Sequence, residues 1–166
     1  LPSEHMPEQV DLVEGYFPDA RKAAVLLPLF EQNGQLFLAF IRRATTLRSH
    51  SGEIAFPGGS VDPDDTSVVM TALREAQEEI GLDPVRVDVL GLLSPVFTVV
   101  SNFLITPVVA FLPQGLGELH LQPGEVHELL LAPLQDLADP AILHTEQWTR
   151  DNRTRLVYFY DYGSYR

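Results

Sequence analysis

The sequence predicts a mixed α/β domain, and three observations carry that prediction. Two β-rich runs, residues 22–30 and 36–43, flank Glu31-Gln32-Asn33-Gly34-Gln35, whose Asn-Gly pair marks a hairpin. Val69, Ala72, Leu73, Ala76 and Ile80 fall on one arc of a helix, with Gly81 placed to end it. Beyond that helix, residues 85–93 and 103–112 return to β-rich composition, with Pro113, Gly115 and Gly117 breaking the second run.

The remaining elements follow in order. Residues 1–20, rich in proline and acids, read as a loosely held arm with room for one short helix, ahead of a single domain over 21–166. Residues 53–56 read as a short strand leading into Gly58-Gly59, where the backbone can approach a ligand closely. Asp62, Asp64, Asp65 and Thr66 offer N-cap and first-turn chemistry for the helix. Residues 125–131 fit a strand or a turn, 133–138 a short helix, and 155–160 alternate like a late strand. No internal repeat, low-complexity tract or linker divides the chain.

Composition narrows the function classes. The chain has 166 residues, 45% of them hydrophobic, enough for a real core. No apolar run approaches the roughly 20 residues of a membrane-spanning helix, and no signal peptide is visible, so no membrane partner is expected. Zero cysteines exclude disulfides, a thiol nucleophile and a zinc–thiolate site, and a cytoplasmic location follows as the default. A net charge of −12 argues against a nucleic-acid surface, which needs cationic stripes to neutralise phosphates.

Within that acidic chain one patch is costly. Glu75, Glu78 and Glu79 share roughly a 100° arc of the helix, apart from the apolar arc, so that all three carboxylates are expected to face out together. Like charges three and four residues apart destabilise a helix by a few tenths of a kcal/mol per pair. A divalent cation offsets that repulsion, and these hard oxygen ligands suit Mg²⁺ or Mn²⁺. The alternative for the triplet alone is an ordinary solvated acidic face. Just upstream, Arg42, Arg43, Arg48 and His50 gather ahead of the Gly-Gly turn. Such a cluster can reverse the local field for an anionic, phosphorylated ligand, the alternative being a solvated basic loop.

Residues 58–82 resemble a Nudix box. The end of that signature is met by Arg74-Glu75-Ala76-Gln77-Glu78-Glu79-Ile80-Gly81-Leu82, with Ala76 in the first aliphatic slot. The stretch from the first glycine to Arg74 is one residue longer than in the commonest box, and Thr66 stands in place of the usual upstream glutamate, leaving its structural role to Asp62 or Asp65. The longer form is similar to the coenzyme A diphosphatase branch of the family. So is the upstream pattern Arg43-Ala44, three residues, Arg48, three residues, Gly52, three residues, Phe56-Pro57-Gly58-Gly59, with Ile41 where that motif most often has threonine.

The resemblance implies an α/β/α sandwich around a mixed sheet, with no counterpart here for a second helix near the C-terminus. It implies metal-dependent hydrolysis of a nucleotide diphosphate: coenzyme A or its thioesters to 4′-phosphopantetheine, or its acylated form, and adenosine 3′,5′-bisphosphate. The same box would serve hydrolysis of ADP-ribose, NADH or a nucleoside triphosphate, or a catalytically weak nucleotide-binding module. Glu75 and Glu79 are the implied ligands of Mg²⁺ or Mn²⁺, with Glu78 a third or water-mediated one and the Gly58 carbonyl completing the shell. Arg74 would orient a glutamate, and Arg42, Arg43, Arg48, His50 and Gly59 would meet substrate. Glu125 and Glu128 lie where the family often places its general base; for each the alternative is a surface acid. Phe97, Thr98 and Phe103 are expected at the pocket or in the core. The resemblance also allows a homodimer, whose interface no segment marks.

Overall fold

The structure is a computed structural model describing residue 15 and residues 17–45, 52–98, 101–150 and 153–165. An eight-stranded mixed sheet forms the body. Its spine runs β3 (Ile54–Ala55), β2 (Gln35–Arg43), β1 (Arg21–Gln32), β7 (Phe103–Leu112), β5 (Asp88–Leu92). Off this spine β4 (Gly58–Ser60) pairs with β1, β6 (Val96–Thr98) with β7, and β8 (Val126–Pro133) with β2. The β1–β2 hairpin closes as the Asn-Gly signal requires: Asn33 and Gly34 have φ of 53° and 76°, the two left-handed residues of a tight primed turn.

β1 and β7 run parallel in register from Arg21 against Phe103 to Phe30 against Leu112. A parallel pair suits strands with continuous apolar runs, and residues 23–30 and 103–112 carry no charge. The long helix α1 (Val68–Ile80) lies on one face of this pair. Ala72, Ala76 and Ile80 there join Ala24, Leu26, Phe30, Ala39, Ile41, Val108, Ala110 and Leu112 in the core. Each fully buried Leu or Ile in it contributes about 2 kcal/mol. On the other face Val25, Leu27, Leu29, Ile105, Val109 and Phe111 are half-buried. The short helix α2 (Leu134–Leu137) adjoins β2 and β8 and is the described residues' one helical element after β8 longer than a 3₁₀ turn.

Several elements depart from the sequence reading. The N-cap of α1 is Ser67, whose Oγ accepts from Met70 N at 3.2 Å, so none of Asp62, Asp64, Asp65 or Thr66 caps the helix. Gly81 ends it as expected, in the left-handed conformation. The run 85–93 divides because Asp83 caps a 3₁₀ turn, Pro84–Arg86, before β5 begins. Residues 126–133 resolve as strand, since β2 offers them an open edge. The strand β9 (Leu143–Arg150) went unread because its residues are mostly polar; β10 (Arg153–Tyr160) supplies its antiparallel partner in a separate two-stranded sheet. Among the described residues no helix is long and apolar enough to cross a membrane.

Candidate active site

The start of β1 and the Gly-Gly strand set the floor of the site. Gly58 and Gly59 pair with Val25 and Ala24, which brings β4 beneath α1. A Cβ on Gly59 would collide with the Glu75 carboxylate, so glycine is what lets this strand and that side chain meet. Gly58 donates its backbone N–H to Glu79 Oε2 at 2.9 Å.

The three glutamates do not face out together. Glu79 is 2% exposed, at the border of the apolar arc and under β4, whereas the Glu78 side chain is 57% exposed and Glu75 lies between them. Arg74 organises the group: its Nη1 donates to Glu75 Oε1 at 3.0 Å and lies 3.4 Å from Glu78 Oε2. The guanidinium is itself fixed by Asp65, with Nε to Oδ1 at 3.1 Å and Nη2 to Oδ2 at 2.9 Å, and by the Ser60 carbonyl at 3.1 Å. Asp65 also accepts from Thr71 Oγ1 and from the backbone of Asp62. Asp65, and not Asp62, therefore fills the place left by Thr66. The hydrogen bonds from Arg74 hold its carboxyl well below the usual carboxylate range.

Burial raises both inner glutamates. For Glu75 desolvation outweighs the hydrogen bond from Arg74. For Glu79 desolvation, only partly answered by the Gly58 N–H and the Arg43 charge, pushes the carboxyl up to about 7. Between pH 4.5, near the value of the unfolded chain, and pH 7 the folded protein keeps a proton that the unfolded chain has lost. This contribution to stability is complete below that window and is lost as pH rises through it, by about 3 kcal/mol in total. In EDTA, the melting temperature of the wild type relative to Glu79→Gln, which cancels the other titrating groups, is expected to fall from pH 5 to pH 8. A pH-independent difference would show that Glu79 is not held uncompensated.

Arg43 reaches the same carboxylate from β2, its Nη1 lying 3.8 Å from Glu79 Oε1. Its Nε is buried and has no hydrogen-bond partner among the described residues. Arg42, the next position on the pleat, projects from the opposite face of the sheet and pairs with Glu128, Nη1 to Oε1 at 3.1 Å. The structure thus brings Glu125 but not Glu128 to the glutamates. The segment before Glu125 is fastened to the end of α1, with His120 N on Ile80 O at 3.0 Å and Gln122 N on Glu79 O at 2.8 Å. The charge of Glu125 is felt by both Glu75 and Glu79. Arg48 and His50 lie outside the described residues.

Phe97, Thr98 and Phe103 gather at the same end of the sheet but are engaged with one another's neighbours. Phe97 stacks on Phe17 with centroids 4.1 Å apart, Arg21 lies 4.1 Å over Phe103, and Thr98 Oγ1 meets Ser101 Oγ at 2.6 Å. Sequence reasoning passed over Ser67, Thr71 and Gln122. Ser67 had a local signal, a capping residue just before the apolar arc; the other two act through contacts no local pattern encodes.

Among the described residues no three acidic or histidine side chains already converge as a metal cage. Glu75 and Glu79 instead offer two carboxylates on one side of the Gly-Gly strand. That donor set fits a hard divalent cation such as Mg²⁺, which commonly takes one or two carboxylates and completes its shell with waters and phosphate oxygens.

The sequence profile of the NUDIX domain matches residues 20–153. An uncharacterized Nudix hydrolase, NudL, of Photorhabdus laumondii is 43% identical over 142 residues, covering 86% of this chain and 74% of that protein. The mouse peroxisomal coenzyme A diphosphatase NUDT7 is 39% identical over 145 residues, and the chain spans 60% of its length. Among solved structures, a Caenorhabditis elegans Ap4A hydrolase complex superposes with a TM-score of 0.58 at 19% identity, over 70% of this chain and 82% of that one. The NUDIX domain of Shewanella oneidensis NrtR, complexed with ADP ribose, gives 0.54 at 18% identity, over 74% and 79%. At such identities these two likenesses concern the fold alone. The profile match over most of the chain, together with a helix that sets Arg74, Glu75 and Glu79 around a Gly-Gly strand, makes this protein a member of the Nudix hydrolase family.

Proposed function

We propose that the chain hydrolyses the diphosphate linkage of coenzyme A or acyl-coenzyme A, giving 4′-phosphopantetheine or its acylated form and adenosine 3′,5′-bisphosphate, with Mg²⁺ or Mn²⁺ as cofactor. The observation that carries the chemistry is the pair of inward carboxylates, Glu75 and Glu79, braced by Arg74 and by the Gly58 N–H. When bound there, the cation supplies charge neutralisation at the diphosphate and acidifies a water. Glu79 is kept in place by Gly58 and Arg43, so its carboxylate needs little reorganisation on loading. Arg74 draws Glu75 and Glu78 to one side while Asp65 anchors it. Glu78, more exposed, serves as the third or water-mediated ligand, and the Gly58 carbonyl completes the protein's share of the shell. Glu125, on its turn beside Glu79, accepts the proton of the attacking water as general base.

The substrate end rests on the sequence pattern from Arg43 to Gly59 and on the likeness to the mouse coenzyme A diphosphatase. Among the described residues Arg43 Nε has no partner, and it lies beside Glu79 as a donor for an anionic oxygen. Arg48, His50 and Gly59 complete the proposed substrate contacts.

Product analysis by mass spectrometry tests this. The purified protein is incubated with Mg²⁺ or Mn²⁺ and, separately, coenzyme A, ADP-ribose, NADH and a nucleoside triphosphate. Adenosine 3′,5′-bisphosphate released from coenzyme A well ahead of turnover of the others is the expected result. Preference for another diphosphate would overturn the substrate but keep the chemistry, and no turnover of any would leave a nucleotide-binding module.

A further inference from the structure

Glu125 is held from two sides. On the helix side its N–H donates to Gln122 O at 3.0 Å, and Gln122 is docked on Glu79 O. On the sheet side its carbonyl accepts from Ala44 N at 2.8 Å, immediately after Arg43. Between Glu125 and the regular part of β8 the register slips: Arg42 pairs with Glu128, but Arg43 pairs with Val126, so His127 is an extra residue. Such bulges re-aim the backbone beside them. Here the slip keeps Val126 in the core, and the turn from Gln122, docked on the end of α1, holds Glu125 where its charge reaches Glu75 and Glu79.

The last regular pair before the slip is the ion pair Arg42–Glu128 at 3.1 Å. Arg42 does a second thing, donating from Nε to the Gly52 carbonyl at 3.4 Å, where Gly52 N in turn donates to Arg43 O at 3.0 Å. One guanidinium thus ties β8 to the chain segment entering β3, across the strand that carries Arg43. We infer that Arg42 and Glu128 are a positioning pair that pins the β8 bulge and so fixes Glu125 and Arg43 at the glutamate site. Both side chains are more than a third exposed, at 39% and 35%. An ion pair that open to water adds little to stability, which leaves geometry as its contribution.

This rests on the reading of Glu125 as general base, and the experiment separates the two. Initial rates are measured for Glu128→Ala, Glu128→Gln, Arg42→Ala, the double alanine variant and Glu125→Gln, with melting temperatures alongside. Glutamine at 128 keeps an oxygen for the Arg42 N–H and is expected to stay within a few-fold of wild type. Alanine is expected to lower kcat by roughly tenfold to a hundredfold, the scale of a small misplacement of a catalytic group, with KM and melting temperature little changed. The double alanine variant should be no worse than either single one, because the two act as a unit. Glu128→Ala at wild-type kcat would overturn the inference, as would Glu128→Gln falling as far as a base deletion. An active Glu125→Gln alongside a slowed Glu128→Ala would discard the base assignment and leave the pair positioning Arg43.

Discussion

Replacing Glu79 by glutamine is expected to abolish most metal-dependent turnover, by roughly a hundredfold or more, while the protein stays folded. Even residues one shell removed from a metal cost 10- to 100-fold when changed, and Glu79 is proposed as a direct ligand. The fold should tolerate the change because the amide oxygen can still accept the Gly58 N–H. Removing a carboxylate that burial pushes up to about 7 also removes a destabilising charge, so the variant should melt higher than the wild type in EDTA at pH 8. Circular dichroism, a Mn²⁺ titration followed by electron paramagnetic resonance, and steady-state rates together check it. A folded variant with near-wild-type kcat and unchanged Mn²⁺ affinity would remove Glu79 from the site.

Glu125→Gln is expected to behave differently. General-base catalysis is worth about 10²- to 10⁴-fold, so kcat should fall within that range, while the Mn²⁺ affinity, proposed to rest on Glu75 and Glu79, should hold to within a few-fold. The contrast is the informative part: loss of turnover with metal binding intact marks a proton acceptor, and loss of both marks a ligand. If Glu125→Gln turns over normally, the proton goes elsewhere and the turn at Gln122–Val126 has only a structural purpose.

Much of the fold was legible because it is written in local periodicity. The hairpin at Asn33-Gly34, the helix from its apolar arc, its end at Gly81 and the strand over 103–112 each follow from residues within one turn or one pleat of each other. Local periodicity does not say which strands pair. Hence β9, mostly polar, exists through β10, and 126–133 becomes a strand through the edge of β2. The candidate site divides the same way. The spacing of Arg74, Glu75, Glu78 and Glu79 was plain, but their exposures were not, since burial of Glu79 depends on β4 lying across the helix.

Glu125 and Glu128 show the limit most clearly. Three residues apart, with the same side chain, they are equivalent in sequence. The turn docked on the end of α1 holds one near the glutamates, while the ladder with β2 leaves the other paired with Arg42 on the far side of the sheet. Asp65 was similarly one of two candidates until its carboxylate met both Arg74 and Thr71. By itself the sequence determined the chemistry available: which carboxylates, at what helical spacing, beside which glycines. Which of those groups lose their water, which cation neutralises which acid and which later glutamate lies near Glu75 and Glu79 were decided only by tertiary structure. Desolvation and ion pairing depend on distances between segments far apart in the chain, and no local pattern carries them.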